Sequence, residues 1–323
     1  MKQVRISQFG QPQDVLDVVE VPVPEPGPGQ IRIKVTARPI NPSDVLNIQG
    51  LYGTPPALPA AMGFEAVGVI DACGPGVPLP RGLRVYALTG GTWSEYMVLP
   101  AMATIPIPDE ISDEVACQLI VNPLSAWLML DELDLKPGEW VLQTAGGSAL
   151  GQMFVQMAHK RGLKTISTVR RDDQIALLEA KGADVVVNTD KESLLERVKA
   201  LTHGKGVPGA IDAVGGAIGA LAHESLATGG KLLVYGVLSG EPIPINPAIT
   251  LFKGLTIKGF WLTRWMMTSR AETRQALVEN VMNLLASGEV APPVEARYPL
   301  EQVKEAVAHA SRPGRNGKIL LIS

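Results

Sequence analysis

A run of small residues, Gly146-Gly147-Ser148-Ala149-Leu150-Gly151, follows an apolar strand-like segment, Trp140 to Ala145, and precedes a helical pattern. Small residues let backbone approach a diphosphate, and a helix start supplies free amides and a partial positive charge. The chemistry that such a turn supports is dinucleotide binding. The glycine spacing departs from G-x-G-x-x-G, so a tight strand-to-helix turn is the competing reading of the glycines alone. Further on, at the end of the next strand, stands the pair Arg170-Arg171. Enzymes selective for NAD place an acid about 20 residues past the loop to hold the ribose hydroxyls. Two guanidiniums there favour a bound phosphate, which they can grip bidentately. The expected cofactor is therefore NADPH, with a solvated surface pair as the alternative.

The other reactive side chains are few. Two cysteines, Cys73 and Cys117, cannot build a disulfide framework or a four-thiolate metal site, and each is expected to be buried and inert. The histidines His159, His203, His223 and His309 are scattered and read as surface or packing residues. A formal charge of −3, with both signs interspersed, gives no continuous basic surface for nucleic acid. No apolar run approaches the roughly 18 residues that a membrane span needs. The first residues, Met1 to Ile6, run straight into a strand-like alternation without a charged leader, so a cytoplasmic location is expected.

The elements that would position these residues fall into two textures. The first hundred residues have short β-branched runs (Gln30 to Ala37, Ala66 to Asp71, Trp93 to Leu99) between proline- and glycine-rich turns. That pattern predicts a barrel-like β domain, with Val21 to Gly29 outside any central strand. From Asp113 onward helical patterns alternate with short apolar strands, the rhythm of a parallel sheet. Strands are predicted at Thr165 to Val169, Val185 to Asn188, Ala210 to Val214, Lys231 to Tyr235 and Leu255 to Phe260. Helices are predicted over Gln152 to Arg161 and Asp173 to Lys181, and a Ser269/Glu272 capping box opens another that ends near Gly288. The chain closes with a strand at Val294 to Tyr298, a helix at Glu301 to Ala310 and a strand at Lys318 to Ile322. At 323 residues, two domains are the natural expectation.

The glycine loop and its neighbours resemble the medium-chain dehydrogenase/reductase superfamily over essentially the whole chain. Three segments narrow the likeness: Asn41-Pro42-Ser43-Asp44 leading to Gln49-Gly50-Leu51-Tyr52, then Gly146 to Gly151, then Lys258-Gly259-Phe260-Trp261-Leu262 with Trp265. Together they resemble the zinc-free, mitochondrial-type trans-2-enoyl-CoA/ACP (2-enoyl thioester) reductases, with quinone oxidoreductases next. The resemblance implies an α/β fold with a GroES-like β-barrel domain (1–118 and 265–323) and a Rossmann doubly wound parallel sheet domain (119–264). Where zinc-dependent relatives carry a cysteine and a Gly-His-Glu segment, this chain has Ile40 or Asn41 and Gly63-Phe64-Glu65, so no metal is expected.

The likeness also implies a reaction. Hydride would pass from NADPH to the β-carbon of an enoyl thioester, on CoA or acyl carrier protein, while Tyr52 protonates the α-carbon. Phenols titrate near ~10, so one is protonated at neutral pH and can donate; the plainer role for Tyr52 is to anchor a glycine turn. The implied cofactor contacts are Asn122, Gly147, Ser148, Ala149, Leu150, Arg170, Arg171, Asp172, Tyr235, Gly236, Val237, Leu238, Phe260, Trp261, Leu262 and Lys318. Asn122 is alternatively a helix N-cap and Lys318 a solvated lysine, while Asp44 reads as a turn or cap. Asn41 and Trp261 are the implied substrate-pocket residues, and Trp265 lines that pocket or fills core. Relatives are commonly homodimers. The competing functions are quinone reduction and non-catalytic NADPH binding.

Overall fold

Alternation of apolar and polar residues organises the first part of the chain. In a computed structural model that describes residues 1–323, Ile31, Ile33, Val35 and Ala37 all turn inward from one strand. The strands here are β1 (Lys2–Ile6), β2 (Leu16–Glu20), β3 (Gln30–Pro39), β4 (Ala60–Ala61), β5 (Glu65–Cys73), β6 (Arg84–Leu88), β7 (Tyr96–Pro100) and β8 (Thr104–Pro106). Short helices α1 (Pro12–Val15), α2 (Pro42–Ile48) and α3 (Asp113–Ala116) lie between or after them. The proline-rich stretch 21–29 is loop, as the missing proline donors require.

The second part is a parallel α/β layer. It holds α4 (Val121–Leu133), β9 (Trp140–Gln143), α5 (Ala149–Lys160), β10 (Lys164–Val169), α6 (Asp173–Glu179), β11 (Val185–Asn188) and α7 (Leu194–Leu201). Then come β12 (Val207–Asp212), α8 (Gly216–Glu224), β13 (Leu226–Val234), α9 (Pro247–Lys253), β14 (Thr256–Gly259), α10 (Leu262–Thr268) and α11 (Ala271–Ala286). All five ladders are parallel, in the order β11-β10-β9-β12-β13-β14. Central strands in such a sheet are covered on both faces, which is why Val141, Leu142, Leu232 and Leu233 are wholly buried. No helix is long and apolar enough to cross a membrane.

The chain then returns to the first part with β15 (Val294–Pro299), α12 (Val303–Ala310) and β16 (Lys318–Ile322). Strand β16 sits inside the larger sheet, parallel to β15 and antiparallel to β3, in the order β15-β16-β3-β5-β6-β8, with β7 also on β3. Two compact units result: 1–121 with 285–323, and 122–284. The first boundary lies close to the one expected after residue 118; the second falls well beyond residue 264, because α10 and most of α11 stay with the parallel unit they leave.

Candidate active site

In the parallel unit, β10 and β11 extend from β9 on one side and β12 to β14 on the other. That reversal between β9 and β12 is the switch point where open α/β sheets bind ligands, beyond the carboxyl ends of the strands. The ends of these two strands are tied together: the Thr144 hydroxyl donates to Asp212 Oδ1 at 2.6 Å, and the Val214 and Gly215 amides donate to the same buried carboxylate. Helix α5 starts directly after the turn, earlier than the glycines suggested, because Ser148 caps it by accepting from the Gly151 amide at 3.1 Å. The Gln152 amide bonds to the Ser148 carbonyl. Of the four amides that a helix start leaves open, those of Ala149 and Leu150 remain for an anion. Gly151 is required by packing, since a Cβ there would lie 2.5 Å from the Gly146 carbonyl oxygen.

Most of the remaining sequence candidates in this unit follow the carboxyl ends of its strands. Arg170 and Arg171 follow β10 and are both exposed. Arg171 is turned toward Asp173, 2.5 Å from Nη2 to Oδ2. Asp172 is held by Lys191 and by the Asn188 amide, and the Lys191 hydrogen bond keeps its carboxyl below the usual range. Tyr235, Gly236, Val237 and Leu238 follow β13, where the two aliphatic side chains are exposed and the buried Tyr235 hydroxyl has no partner. Burial pushes that phenol well above its ordinary value. Phe260, Trp261 and Leu262 follow β14, with Trp261 exposed. Trp265 is half-buried, so it is not core. Asn122 is buried in the first turn of α4 rather than capping it.

In the other unit, Asn41 and Lys318 come together beside a residue whose part the sequence did not disclose. Glu65 is 1% exposed; its Oε1 accepts from Asn41 Nδ2 at 2.8 Å, and its Oε2 from the Tyr86 hydroxyl at 2.7 Å and the Val121 amide at 3.2 Å. Lys318, 4% exposed, donates from Nζ to Asn41 Oδ1 at 2.6 Å, which corrects the solvated alternative. Asn41 is itself 1% exposed, with its amide engaged at both ends. Asp44 is the predicted cap: its Oδ2 accepts from the Asn41 amide at 2.7 Å at the start of α2. Burial dominates the titration of this group, raising Asp44 to about 8, raising Glu65, and lowering Lys318 to about 8. Tyr52 lies past the end of α2, half-buried, its ring 5.4 Å from that of Phe64 and tilted by 47°.

The donor set for zinc is not there. No group of three or more His, Cys, Asp or Glu side chains comes together, and Phe64 stands beside Glu65 where a histidine would be needed. Cys117 is buried, and burial raises its thiol far above the usual value; Cys73 is only half-buried, contrary to expectation. His223 bonds Thr250, and His309 lies between Tyr298 and Glu295. These are packing roles.

Comparison with known proteins agrees with this architecture. Residues 27–109 match the family described as alcohol dehydrogenase GroES-like domain, and residues 149–282 the family described as zinc-binding dehydrogenase. The chain is 32% identical over 313 residues to the mitochondrial enoyl-[acyl-carrier-protein] reductase of Rattus norvegicus, covering 94% of this chain and 84% of that one. The crystal structure of Escherichia coli quinone oxidoreductase complexed with NADPH superimposes with a TM-score of 0.91 at 28% identity, covering all of both chains. A Pseudomonas syringae quinone oxidoreductase gives 0.90 at 28% identity, covering 100% of this chain and 99% of that one. The enoyl reductase relatives, from mammals to Dictyostelium discoideum, are all mitochondrial enzymes, which corrects the cytoplasmic expectation.

Proposed function

The chain belongs to the medium-chain dehydrogenase/reductase superfamily, as an NADPH-dependent oxidoreductase of its zinc-free branch acting on a small organic substrate, and from that premise we propose that it reduces a carbonyl-conjugated double bond, with a quinone as first acceptor. The observation that carries the quinone reading is the end-to-end structural correspondence with the E. coli enzyme. Bound NADPH would supply the hydride. Without a Lewis acid, conjugation itself spreads the incoming charge to the carbonyl oxygen, and a quinone takes one hydride and one proton to become the hydroquinone.

We assign the nucleotide contacts in the parallel unit to residues 147–150, 170–172, 235–238 and 260–262, with Asn122. The free amides of Ala149 and Leu150 and the positive end of α5 suit a diphosphate. Arg170 and Arg171 suit a 2′-phosphate, and the exposed Val237, Leu238 and Trp261 offer apolar surface to a flat ring.

A second reading, enoyl thioester reduction, is favoured by Tyr52 on its Phe64 support and by the rat relative. Hydride then adds to the β-carbon and the Tyr52 phenol protonates the α-carbon of a CoA or acyl carrier protein thioester. The test follows NADPH absorbance with a benzoquinone and a short enoyl-CoA in parallel, for wild type and Tyr52→Phe. An enolate carbon takes up a proton slowly without a placed donor, so the enoyl reading expects the variant's kcat to fall by about 10²–10⁴. The quinone reading expects the higher wild-type kcat/KM on the quinone and little effect of the variant, since a quinone oxygen can take its proton from water. No acceleration of NADPH oxidation by either acceptor would reject both readings.

A homodimer is also proposed. Strand β14 is the open edge of the parallel sheet, with Ile257 exposed on it and Leu251 and Phe252 exposed on α9 just before. An unprotected apolar edge is a pairing surface. Light scattering should give twice the chain mass, and Ile257→Lys with Phe252→Asp should halve it; a monomeric wild type would reject the dimer.

A further inference from the structure

Tyr52 sits on two supports, joined by a side-chain bond from Asn41 and by the Asp44 carboxylate, which also meets the Phe64 amide. The first is α2. Its start is fixed by Asp44 on the Asn41 amide, and its end is continued by the Gly50 amide on Asn47 and the Leu51 amide on the Leu46 carbonyl. Gly50 has φ +73° and its Cα faces the Phe9 ring, so the chain leaves the helix in one direction and delivers Tyr52 two residues later. The second support is the Phe64 ring. Phe64 follows Gly63, whose φ of +94° and closeness to Trp93 admit no side chain, and precedes the buried Glu65. Asn41 Nδ2 to Glu65 Oε1, at 2.8 Å, links the head of the helix to the first residue of β5, directly after the one that carries the ring.

An asparagine amide can face either way, so such a link holds only if something fixes its orientation. Here two groups do. Glu65, when ionised, only accepts, and so requires the nitrogen; Lys318 only donates, and so requires the oxygen. The Tyr86 hydroxyl and Val121 amide hold the carboxylate from its other side. We propose that Asn41, Glu65 and Lys318 form a positioning unit for Tyr52, in which Lys318 and Glu65 lock the Asn41 amide and thereby hold the start of α2 and Phe64 at the separation that places the phenol. None of the three takes part in bond making. The kinetic consequence rests on the enoyl reading; the structural one does not.

The test uses the full chain with 3-fluorotyrosine placed at position 52, read by 19F NMR, beside steady-state kinetics with NADPH and a short enoyl-CoA. Lys318→Met and Glu65→Gln, confirmed folded by circular dichroism, are expected to shift and broaden the position-52 signal. They should lower kcat by about 10–100-fold, the scale of a misplacement near 1 Å, with KM for NADPH within about twofold. Lys318→Met combined with Tyr52→Phe should lose no more than Tyr52→Phe alone, because an absent phenol cannot be misplaced. An unchanged 19F signal in both folded variants overturns the proposal, as does full additivity with Tyr52→Phe. If Tyr52→Phe keeps its kcat while the signal still moves, positioning stands and the enoyl reading falls. Should both variants unfold, Tyr86→Phe removes one hydroxyl from the same carboxylate; a shifted signal then supports the unit and an unshifted one overturns it.

Discussion

Arg170 and Arg171 stand next to one another yet are not equivalent. Arg171 already answers Asp173 through Nε at 2.8 Å and Nη2 at 2.5 Å, so a phosphate must displace an existing pair, whereas Arg170 is exposed beside it. Arg170→Ala should weaken NADPH by about 1.5–3 kcal/mol, as expected for a lost charged hydrogen bond, and Arg171→Ala by less, with NADH almost unaffected. Titration of both variants with both nucleotides checks this, and equal losses for NADH and NADPH would reject the assignment. A second consequence at this scale comes from Asp44. Burial raises its folded value to about 8, while an unfolded aspartate titrates near ~3.9, so folding favours the protonated form. That contribution to stability is complete below about pH 4 and is lost as pH rises through about 8. Lys318 has the opposite sense: its folded value is lowered to about 8, so it adds stability only as pH climbs above that. Asp44→Asn, which keeps an acceptor for the Asn41 amide, should therefore flatten the decline of Tm between about pH 4 and pH 8. Parallel wild-type and variant slopes in that window would show that Asp44 is not the titrating group.

The β9–α5 turn is the proposed seat of the nucleotide diphosphate, and Gly151 decides whether the turn closes. A methyl there would meet the Gly146 and Ala145 carbonyl oxygens at 2.5 and 2.8 Å, and backbone on both sides cannot yield as a flexible side chain would. Gly151→Ala is expected to cost about 1–3 kcal/mol, the usual range for overpacking, and to weaken NADPH binding at the same time. Thermal melts and nucleotide titrations would expose an error here if neither moved. Val185–Asn188 and Lys318–Ile322 were legible to the residue, because short apolar runs bounded by polar or glycine residues have no other use in a parallel or mixed sheet. Helix α5 was read three residues late, since Gly146-Gly147 looked like the body of the loop and Ser148 has no acidic partner three residues on to announce a cap. The pattern itself puts Arg170 just past a strand, whereas Tyr235 and Trp261 enter only through the family resemblance. Glu65 was not legible, as its partners Asn41, Tyr86 and Val121 lie 24, 21 and 56 residues away and only the fold assembles them. In the sequence it is only the neighbour of Phe64, which stands where a zinc ligand would be.

On the scale of the chain, the parallel unit of 122–284 is inserted into a unit that begins and ends the molecule. The outer unit therefore depends on its last strand in a way that the inserted one does not. Strand β16 lies between β15 and β3, and its Ile319, Leu320 and Leu321 are wholly buried, two of them in the same core as Val4, Ile6 and Trp93. Each buried aliphatic side chain contributes about 1.5–3 kcal/mol, so three amount to about 5–9, against a total margin of about 5–15 for a domain. Removing the strand also takes away Lys318 and leaves the Asn41 oxygen and the Glu65 carboxylate buried without their cation. A chain ending at Gly317 should thus lose the outer unit. The inserted unit keeps every strand of its own sheet, from Trp140 to Gly259, and every residue proposed above to contact the nucleotide. Limited proteolysis of the truncated chain should leave a resistant fragment close to 122–284 that still enhances NADPH fluorescence, while peptides from 1–121 are cut. Protection of both units after truncation would mean that the first sheet closes without β16. Loss of both would mean that the inserted unit cannot stand alone, and that its stability comes from elsewhere in the chain.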